Sequence, residues 1–223
     1  MTLTLANYKT LIFDCDGVIL DSNRVKTRAF YNATLPYGVI AAQAMVDYHI
    51  SHGGISRYKK FEYFLNVIVP FNAIGPTLDE LLLSYAHEVR KGLQSCDVAE
   101  GLEQLRKHTP GARWMVASGG DQQELRELFD VRGLAKLFDG GIFGSPDDKA
   151  DIVAREIQCG TVLQPALFIG DSRYDHIVAT SNALDFVFLS GWTEFSDWQN
   201  YCSQHGISTV KKLRHFLEEK DGV

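Results

Sequence analysis

Four short, mainly apolar runs constrain the fold of this chain more than any other feature of its sequence. They span residues 10–13, 113–117, 166–169 and 186–189. Uninterrupted apolar runs of this length are typical of strands buried on both faces, as in a parallel sheet. Segments with helical periodicity lie between or after them, over 98–107, 121–129, 149–158, 172–183 and 209–220. Alternating strands and helices predict an α/β fold with a doubly wound parallel sheet.

The region between the first two runs breaks this alternation. Its helical patterns cover 22–35, 39–50, 56–69 and 78–92, and its one candidate strand is 66–69. Prolines and paired glycines separate these patterns, as expected for helix boundaries. We therefore predict a catalytic core formed by residues 1–20 and 96–223, with an all-helical domain inserted at residues 21–95.

Composition argues against several classes of function. Lysine and arginine number 22 and aspartate and glutamate 28, for a formal net charge of −6, which disfavours nucleic-acid binding. The four cysteines form no CxxC pair, which indicates a reducing compartment. Residues 1–9 lack the pattern of a signal peptide, and no segment is apolar enough to predict a membrane span. We expect a cytoplasmic protein with neither nucleic acid nor membrane as partner.

Acidic and small polar residues follow three of the apolar runs. Asp14 and Asp16 come after the first run, Ser118 and Gly119 after the second, and Asp171 after the third. Because the carboxyl ends of parallel strands meet at one edge of a sheet, we expect these residues to line one crevice.

Some of these segments also have a purely structural explanation. Asp121 with Glu124, and Ser172 with Asp175, have the spacing of helix caps. Lys149 precedes a helical pattern and has the character of a surface lysine at a helix start. From the residues alone, both explanations stay open.

In order along the chain, the segments resemble the four motifs of the haloacid dehalogenase superfamily. The matching residues are Asp14-Cys15-Asp16-Gly17-Val18, Ser118, Lys149, and Gly170-Asp171-Ser172 with Asp175. The helical insertion resembles the cap of that superfamily, and Gly54-Ile55-Ser56-Arg57 resembles a cap loop of its phosphoglycolate phosphatase and β-phosphoglucomutase branch. The resemblance covers nearly the whole chain and implies a Rossmann-like core.

The resemblance implies a hydrolase of phosphoric monoesters that works through an aspartyl-phosphate. Asp14 would be the nucleophile, which divides one difficult step into two. Asp16 would protonate the leaving oxygen and later deprotonate water, so it must hold a proton in the first step. An acid at this second position points to phosphoester rather than carbon–halogen chemistry.

The resemblance also implies the ligands of the cofactor and of the phosphoryl group. Mg²⁺ would be bound by the Asp14 carboxylate, the Asp16 backbone carbonyl and Asp171, an all-oxygen set that suits this ion. The phosphoryl oxygens would be bound by Ser118, Gly119 and Lys149. Asp175 would orient Asp171 or Lys149 from behind.

Three basic residues of the insertion are candidates for substrate recognition. Arg57, with Lys60 one turn later, would meet an anionic group of the substrate, unless Arg57 merely begins an exposed amphipathic helix. Lys26 stands where many relatives carry a histidine, which in the mutase assists proton transfer. A lysine there disfavours a mutase and suits a second anionic group, such as a carboxylate.

These observations rank the candidate functions. The leading one is a Mg²⁺-dependent phosphatase acting on a small phosphorylated metabolite, either a sugar phosphate or a phosphorylated acid such as phosphoglycolate. A sugar phosphomutase is the enzymatic alternative. A phospho-aspartate signalling module would place its aspartate on a later strand and lack the insertion, and a non-catalytic binding protein would not need every motif residue. We expect a monomer or weak homo-oligomer.

Overall fold

Six parallel strands form the central sheet of the protein in a computed structural model, which describes residues 4–218. The strands are β1 (Thr10–Phe13), β2 (Arg113–Asp121), β3 (Ile142–Ser145), β4 (Ala166–Gly170), β5 (Asp185–Leu189) and β6 (Ser208–Val210). Their order is β3-β2-β1-β4-β5-β6. Phe13, at the end of β1, lies opposite Val116 of β2 and Ile169 of β4. The predicted doubly wound α/β fold is confirmed.

Four helices fill most of the connection between β1 and β2. They are α1 (Asn23–Thr34), α2 (Val39–Ser51), α3 (Arg57–Tyr63) and α4 (Leu78–Ser95). A π-helical turn, Phe64–Ile68, continues α3, so the candidate strand at 66–69 is wrong. The rings of Phe30, Phe61 and Tyr85 pack together between these helices.

The chain enters and leaves this helical insertion at neighbouring points. The Asp21 amide donates to the Asp97 carbonyl at 2.9 Å, and Leu20 pairs with Val98 as an isolated antiparallel bridge. Two strand-like connections therefore join the insertion to the sheet. The division into domains at residues 20/21 and 95/96 stays a prediction.

The remaining helices cover the sheet. They are α5 (Leu102–His108), α6 (Gln122–Val131), α7 (Lys149–Gln158), α8 (Arg173–Ser181), α9 (Trp198–His205) and α10 (His215–Glu218). Successive side chains of β1 enter two separate apolar clusters, Leu11 and Phe13 in one and Ile12 in the other. Because neighbouring strand residues face opposite sides of a sheet, both faces of β1 are apolar, which explains its unbroken apolar run. Within residues 4–218, no helix combines the length and apolarity that a membrane crossing needs.

Both edge strands escape sequence-based prediction. β3 contains Gly144 and Ser145, so only Ile142 and Phe143 give an apolar signal. β6 overlaps the start of the segment predicted as a helix over 209–220, and its residues are largely exposed. That predicted helix is wrong up to residue 214; residues 219 and 220 lie outside the described part of the chain.

Candidate active site

A crevice of about 80 Å³ lies between the carboxyl ends of the central strands and the helical insertion. The core contributes Asp14, Asp16, Gly119 and Asp171 to its lining. The insertion contributes Lys26, Arg57 and Lys60. The residues predicted from separate segments therefore meet in one place, with the basic candidates of the insertion opposite the acidic residues of the sheet.

The turn after β1 brings Asp14 close to the end of β4. The Asp14 amide donates to the Ile169 carbonyl at 2.9 Å, which extends the strand pairing by one residue. Gly17 then turns the chain with a φ of 75°, a conformation that glycine adopts without strain. A Cβ at Gly17 would lie 2.0 Å from Oδ2 of Asp171, so only glycine leaves room for that carboxylate.

Three buried carboxylates cluster at this edge of the sheet. One oxygen each of Asp14, Asp171 and Asp175 lies within 4.8 Å of the others. Burial, followed by repulsion from Asp175, raises the pKa of Asp14 to about 7. Burial and the Asp14 charge raise the pKa of Asp171 well above its usual range. The cluster therefore holds more negative charge than its surroundings neutralise.

Lys149 is the cation buried among these carboxylates. Its Nζ lies 3.0 Å from Oδ2 of Asp14 and 2.6 Å from Oδ1 of Asp175. Although burial opposes its charge, the Asp14 and Asp175 carboxylates raise the pKa of Lys149. Lys149 begins α7 but is only 2 % exposed, so the alternative that it is a surface lysine is wrong.

Asp175 has both oxygens occupied by the protein. Oδ1 accepts from Lys149, and Oδ2 accepts from the Asp171 amide and from the amide and hydroxyl of Ser172. The capping box at the start of α8 and the orientation of Lys149 are therefore two roles of one side chain. Of the three carboxylates, Asp14 and Asp171 line the crevice and are the ones placed to bind a metal ion there.

A divalent cation fits this donor set. The donors are oxygens, they are buried, and their raised pKa values show that a positive charge would stabilise their ionised forms. Hard cations such as Mg²⁺ prefer such oxygen ligands. Asn23, which sequence analysis missed, donates to Oδ2 of Asp171 at 2.8 Å and orients it.

Asp16 lies on the insertion side of the crevice. Its Oδ2 accepts from the Lys26 ammonium and its Oδ1 accepts from the Ser22 hydroxyl at 2.6 Å. Burial acts to raise the pKa of Asp16, but Lys26 and Ser22 hold it below its usual value. Asp16 is therefore ionised in this arrangement, whereas the sequence-based mechanism requires a proton on it in the first step. The ion pair with Lys26 explains the difference.

Two of the three expected phosphate-binding residues, Ser118 and Gly119, lie on β2. This strand continues to Asp121, so Ser118 and Gly119 belong to the strand rather than to a turn after it. Ser118 is buried, and its Oγ accepts from the Gly120 amide at 3.0 Å. A Cβ at Gly119 would lie 2.4 Å from the Gly54 carbonyl oxygen, so the insertion closes tightly over this point.

Arg57 connects the insertion to the core. Its guanidinium lies 2.7 Å from Oε2 of Glu124 and 3.8 Å from Oδ2 of Asp121, and it is only 6 % exposed. The Tyr58 hydroxyl also donates to Asp121, at 2.8 Å, and Lys59 pairs with Asp148. The alternative that Arg57 begins an exposed helix is therefore wrong, and its charge is balanced by Glu124 of α6. Its contact with an anionic group of the substrate stays a prediction.

Solved structures of other proteins share this fold. A comparison with curated protein sequences gave no match. A solved structure described as a predicted phosphatase from Clostridium acetobutylicum superposes with a TM-score of 0.71 at 19% identity, over 95% of this chain and 97% of that one. A haloacid dehalogenase-like family hydrolase from Streptococcus pneumoniae gives 0.67 at 20% identity, over 96% and 99%. CbbY from Rhodobacter sphaeroides, in complex with phosphate, gives 0.67 at 15% identity, over 96% of both chains.

These identities establish a shared fold and nothing finer. A family model, in contrast, matches the sequence itself: the haloacid dehalogenase-like hydrolase model covers residues 8–180. That match includes the helical insertion and the crevice residues Asp14, Asp16 and Asp171. The chain therefore belongs to the haloacid dehalogenase-like hydrolase family.

Proposed function

We propose that the protein is a Mg²⁺-dependent phosphatase that hydrolyses a small phosphomonoester through an aspartyl-phosphate on Asp14. The observation that carries this proposal is the placement of Asp14 between Lys149 and Asp171 at the floor of a crevice. An oxygen nucleophile beside a cation and a metal-binding carboxylate is the arrangement that attack on a phosphoryl group requires. The family match and the likeness to the structure described as a predicted phosphatase from Clostridium acetobutylicum support it.

Asp14 would attack phosphorus with one carboxylate oxygen and displace the alkoxide. The carboxylates of Asp14 and Asp171 and the backbone carbonyl of Asp16 would hold Mg²⁺, whose positive charge would stabilise the phosphoryl oxygens and the ionised form of Asp14. Ser118, the Gly119 amide and Lys149 would bind those oxygens as well. Asp175 would act by holding Lys149 in position.

Asp16 would act chiefly in the second step. Ionised beside Lys26, it is suited to accept a proton from the water that hydrolyses the aspartyl-phosphate. In the first step it must instead hold a proton for the leaving oxygen, which Lys26 opposes. Esters with weakly basic leaving oxygens are therefore expected to be cleaved fastest.

The same reasoning extends to organisation and location. We propose that residues 1–20 and 96–223 form the catalytic core and that residues 21–95 form a cap that opens to admit substrate. We further propose a cytoplasmic monomer or weak homo-oligomer. The four cysteines, all of them free, support a reducing compartment.

The deciding experiment measures phosphate release from an aryl phosphate, with Mg²⁺ and with a chelator. We expect activity that depends on Mg²⁺, loss of activity in Asp14→Asn, and full activity in the control Asp151→Asn, which alters an exposed acid on α7. Full activity in Asp14→Asn would refute the assignment of the nucleophile. Isomerisation of a sugar 1-phosphate without release of phosphate would identify a phosphomutase instead.

A further inference from the structure

The crevice contains a buried lysine that none of the catalytic roles above uses. Lys60, on α3, is 1 % exposed and lines the crevice together with Asp16 and Lys26. Its Nζ lies 2.7 Å from Nδ1 of His49 and 5.5 Å from the centre of the Phe30 ring. The surroundings of this ammonium group are thus an imidazole and an aromatic face.

Lys60 differs from Lys26 and Arg57, two other cations of the insertion that line the crevice, in having no acidic partner. Lys26 is paired with Asp16, and Arg57 with Glu124. Within residues 4–218, no carboxylate oxygen lies within 4.0 Å of Nζ of Lys60. A buried charge without a counter-ion is unfavourable, so such a residue commonly serves a ligand that brings the missing charge.

His49 fixes the direction of Lys60. Burial and the nearby ammonium groups of Lys60 and Lys26 hold the pKa of His49 well below its usual value, so its imidazole is neutral and Nδ1 can accept. An ammonium group has three N–H donors. One is directed at His49, and the nearest further protein acceptor, the His49 carbonyl oxygen, lies 3.5 Å away. At least one N–H is therefore available to a ligand in the crevice.

We propose that Lys60, oriented by His49, binds a second anionic group of the substrate, and that this group is a carboxylate. The substrate is then a compact phosphorylated hydroxy acid rather than a sugar phosphate. This inference rests on the proposed phosphatase function. It assigns to His49 a positioning role and to Lys60 direct contact with the substrate.

The number of free donors favours a carboxylate over a second phosphate. A phosphate dianion has three terminal oxygens and two charges, whereas Lys60 offers a single charge and one or two N–H groups. The charges of Lys26 and Arg57 are already neutralised by Asp16 and Glu124. The single charge of Lys60 therefore matches the single charge of one carboxylate.

The test compares hydrolysis of matched two-carbon esters by the full-length protein with Mg²⁺. The acid is 2-phosphoglycolate, the counterpart with a hydroxyl group in place of the carboxylate is 2-hydroxyethyl phosphate, and the doubly phosphorylated ester is ethane-1,2-diyl bisphosphate. In the wild type we expect kcat/KM for the acid to exceed that for the hydroxyl ester by about thirtyfold, the effect of one charge-assisted hydrogen bond. In Lys60→Met we expect this preference to fall to within about threefold through a higher KM for the acid.

Two further measurements keep the outcome unambiguous. Lys91→Met, which alters an exposed lysine of the same insertion, is expected to retain the wild-type preference. Hydrolysis of the hydroxyl ester by Lys60→Met is expected to fall by a smaller factor than hydrolysis of the acid. An equal loss on both esters would mean a structural role for Lys60 and would overturn the proposal.

Other results would overturn it in distinguishable ways. Absence of a preference for the acid in the wild type, with the aryl phosphate still hydrolysed, would refute this inference and leave the proposed function intact. A preference for the bisphosphate that is lost in Lys60→Met would refute the carboxylate. Failure to hydrolyse any ester, the aryl phosphate included, would refute the proposed function and this inference with it.

Discussion

The replacement of Lys60 by methionine is expected to make the protein more stable while it removes substrate recognition. Methionine has a similar length and can occupy the same space between His49 and the Phe30 ring. It carries no charge, so the variant no longer buries an ammonium group without a carboxylate partner. Residues that serve a ligand are often kept at a cost to the fold.

The size of the gain follows from two opposing effects. Burial, with repulsion from Lys26, lowers the pKa of Lys60 from 10.5 to about 7. Since one pKa unit corresponds to about 1.4 kcal/mol, the buried charge destabilises the fold by about 5 kcal/mol at pH values below 7. The variant leaves Nδ1 of His49 without its donor, which costs about 1–3 kcal/mol. We therefore expect the free energy of unfolding to rise by about 2–4 kcal/mol at pH 6–7.

The pH dependence of this difference has a defined sign. Between pH 7 and 10.5 the unfolded chain keeps the proton on Lys60 that the folded protein has released. The unfolded state then binds more protons, so the wild type gains stability from this group as the pH rises, and the methionine variant does not. The advantage of the variant is largest below pH 7 and falls to near zero at about pH 9.

Urea unfolding of both proteins at pH 6.5 and pH 9, followed by circular dichroism, measures this difference. Lys91→Met is the control and is expected to match the wild type within about 0.5 kcal/mol. A Lys60→Met variant that is less stable than wild type at pH 6.5 would refute the reasoning, and so would a difference that does not change with pH. Either result would mean that Lys60 stabilises the fold.

The other residues of the crevice lead to separate expectations. Gly119→Ala places a Cβ 2.4 Å from a backbone carbonyl oxygen of the insertion, so we expect kcat/KM to fall by about a hundredfold. The control Gly111→Ala, whose Cβ meets nothing within 4 Å, is expected to stay active. Equal activities of the two variants would contradict the close contact. Lys26→Met removes the cation that lowers the pKa of Asp16, so the acidic limb of the pH–rate profile should move to higher pH by at least about one unit, and an unmoved limb would show that Asp16 does not govern it. Arg57→Met removes a link between insertion and core, so KM should rise about threefold for phosphate esters with and without a carboxylate. An effect confined to the ester with a carboxylate would identify Arg57 as a substrate ligand.

Much of the sheet could be predicted from local pattern. β1 begins and ends at the predicted residues, and β4 extends its predicted run by one residue. Burial on both faces demands apolar residues at every position, which leaves a continuous signal in the sequence. The edge strands β3 and β6 lack that signal because β3 contains Gly144 and Ser145, and β6 is only three residues long and largely exposed. Their pairing depends on a neighbour that is distant in the chain.

The acidic residues of the site could be predicted from the sequence for the same reason. Asp14 and Asp171 follow buried strands that lie side by side, so strand ends alone place them together. Lys149 and Asp175 required the resemblance to a family, because a lysine at a helix start and an acid in a capping box look ordinary in sequence. Their burial and the hydrogen bond between them distinguish them from a surface lysine and a simple helix cap.

The sequence by itself determined the α/β core, the helical insertion and the identity of the acidic residues at the strand ends. Only the tertiary structure decided what the basic residues of the insertion do. Arg57 meets Glu124, Lys26 meets Asp16, and Lys60 meets His49 rather than an acid. Helical periodicity records which face of a helix is buried but not which charge lies across from it. Such pairing depends on distances between segments far apart in the chain, and these exist only once the insertion has closed over the sheet.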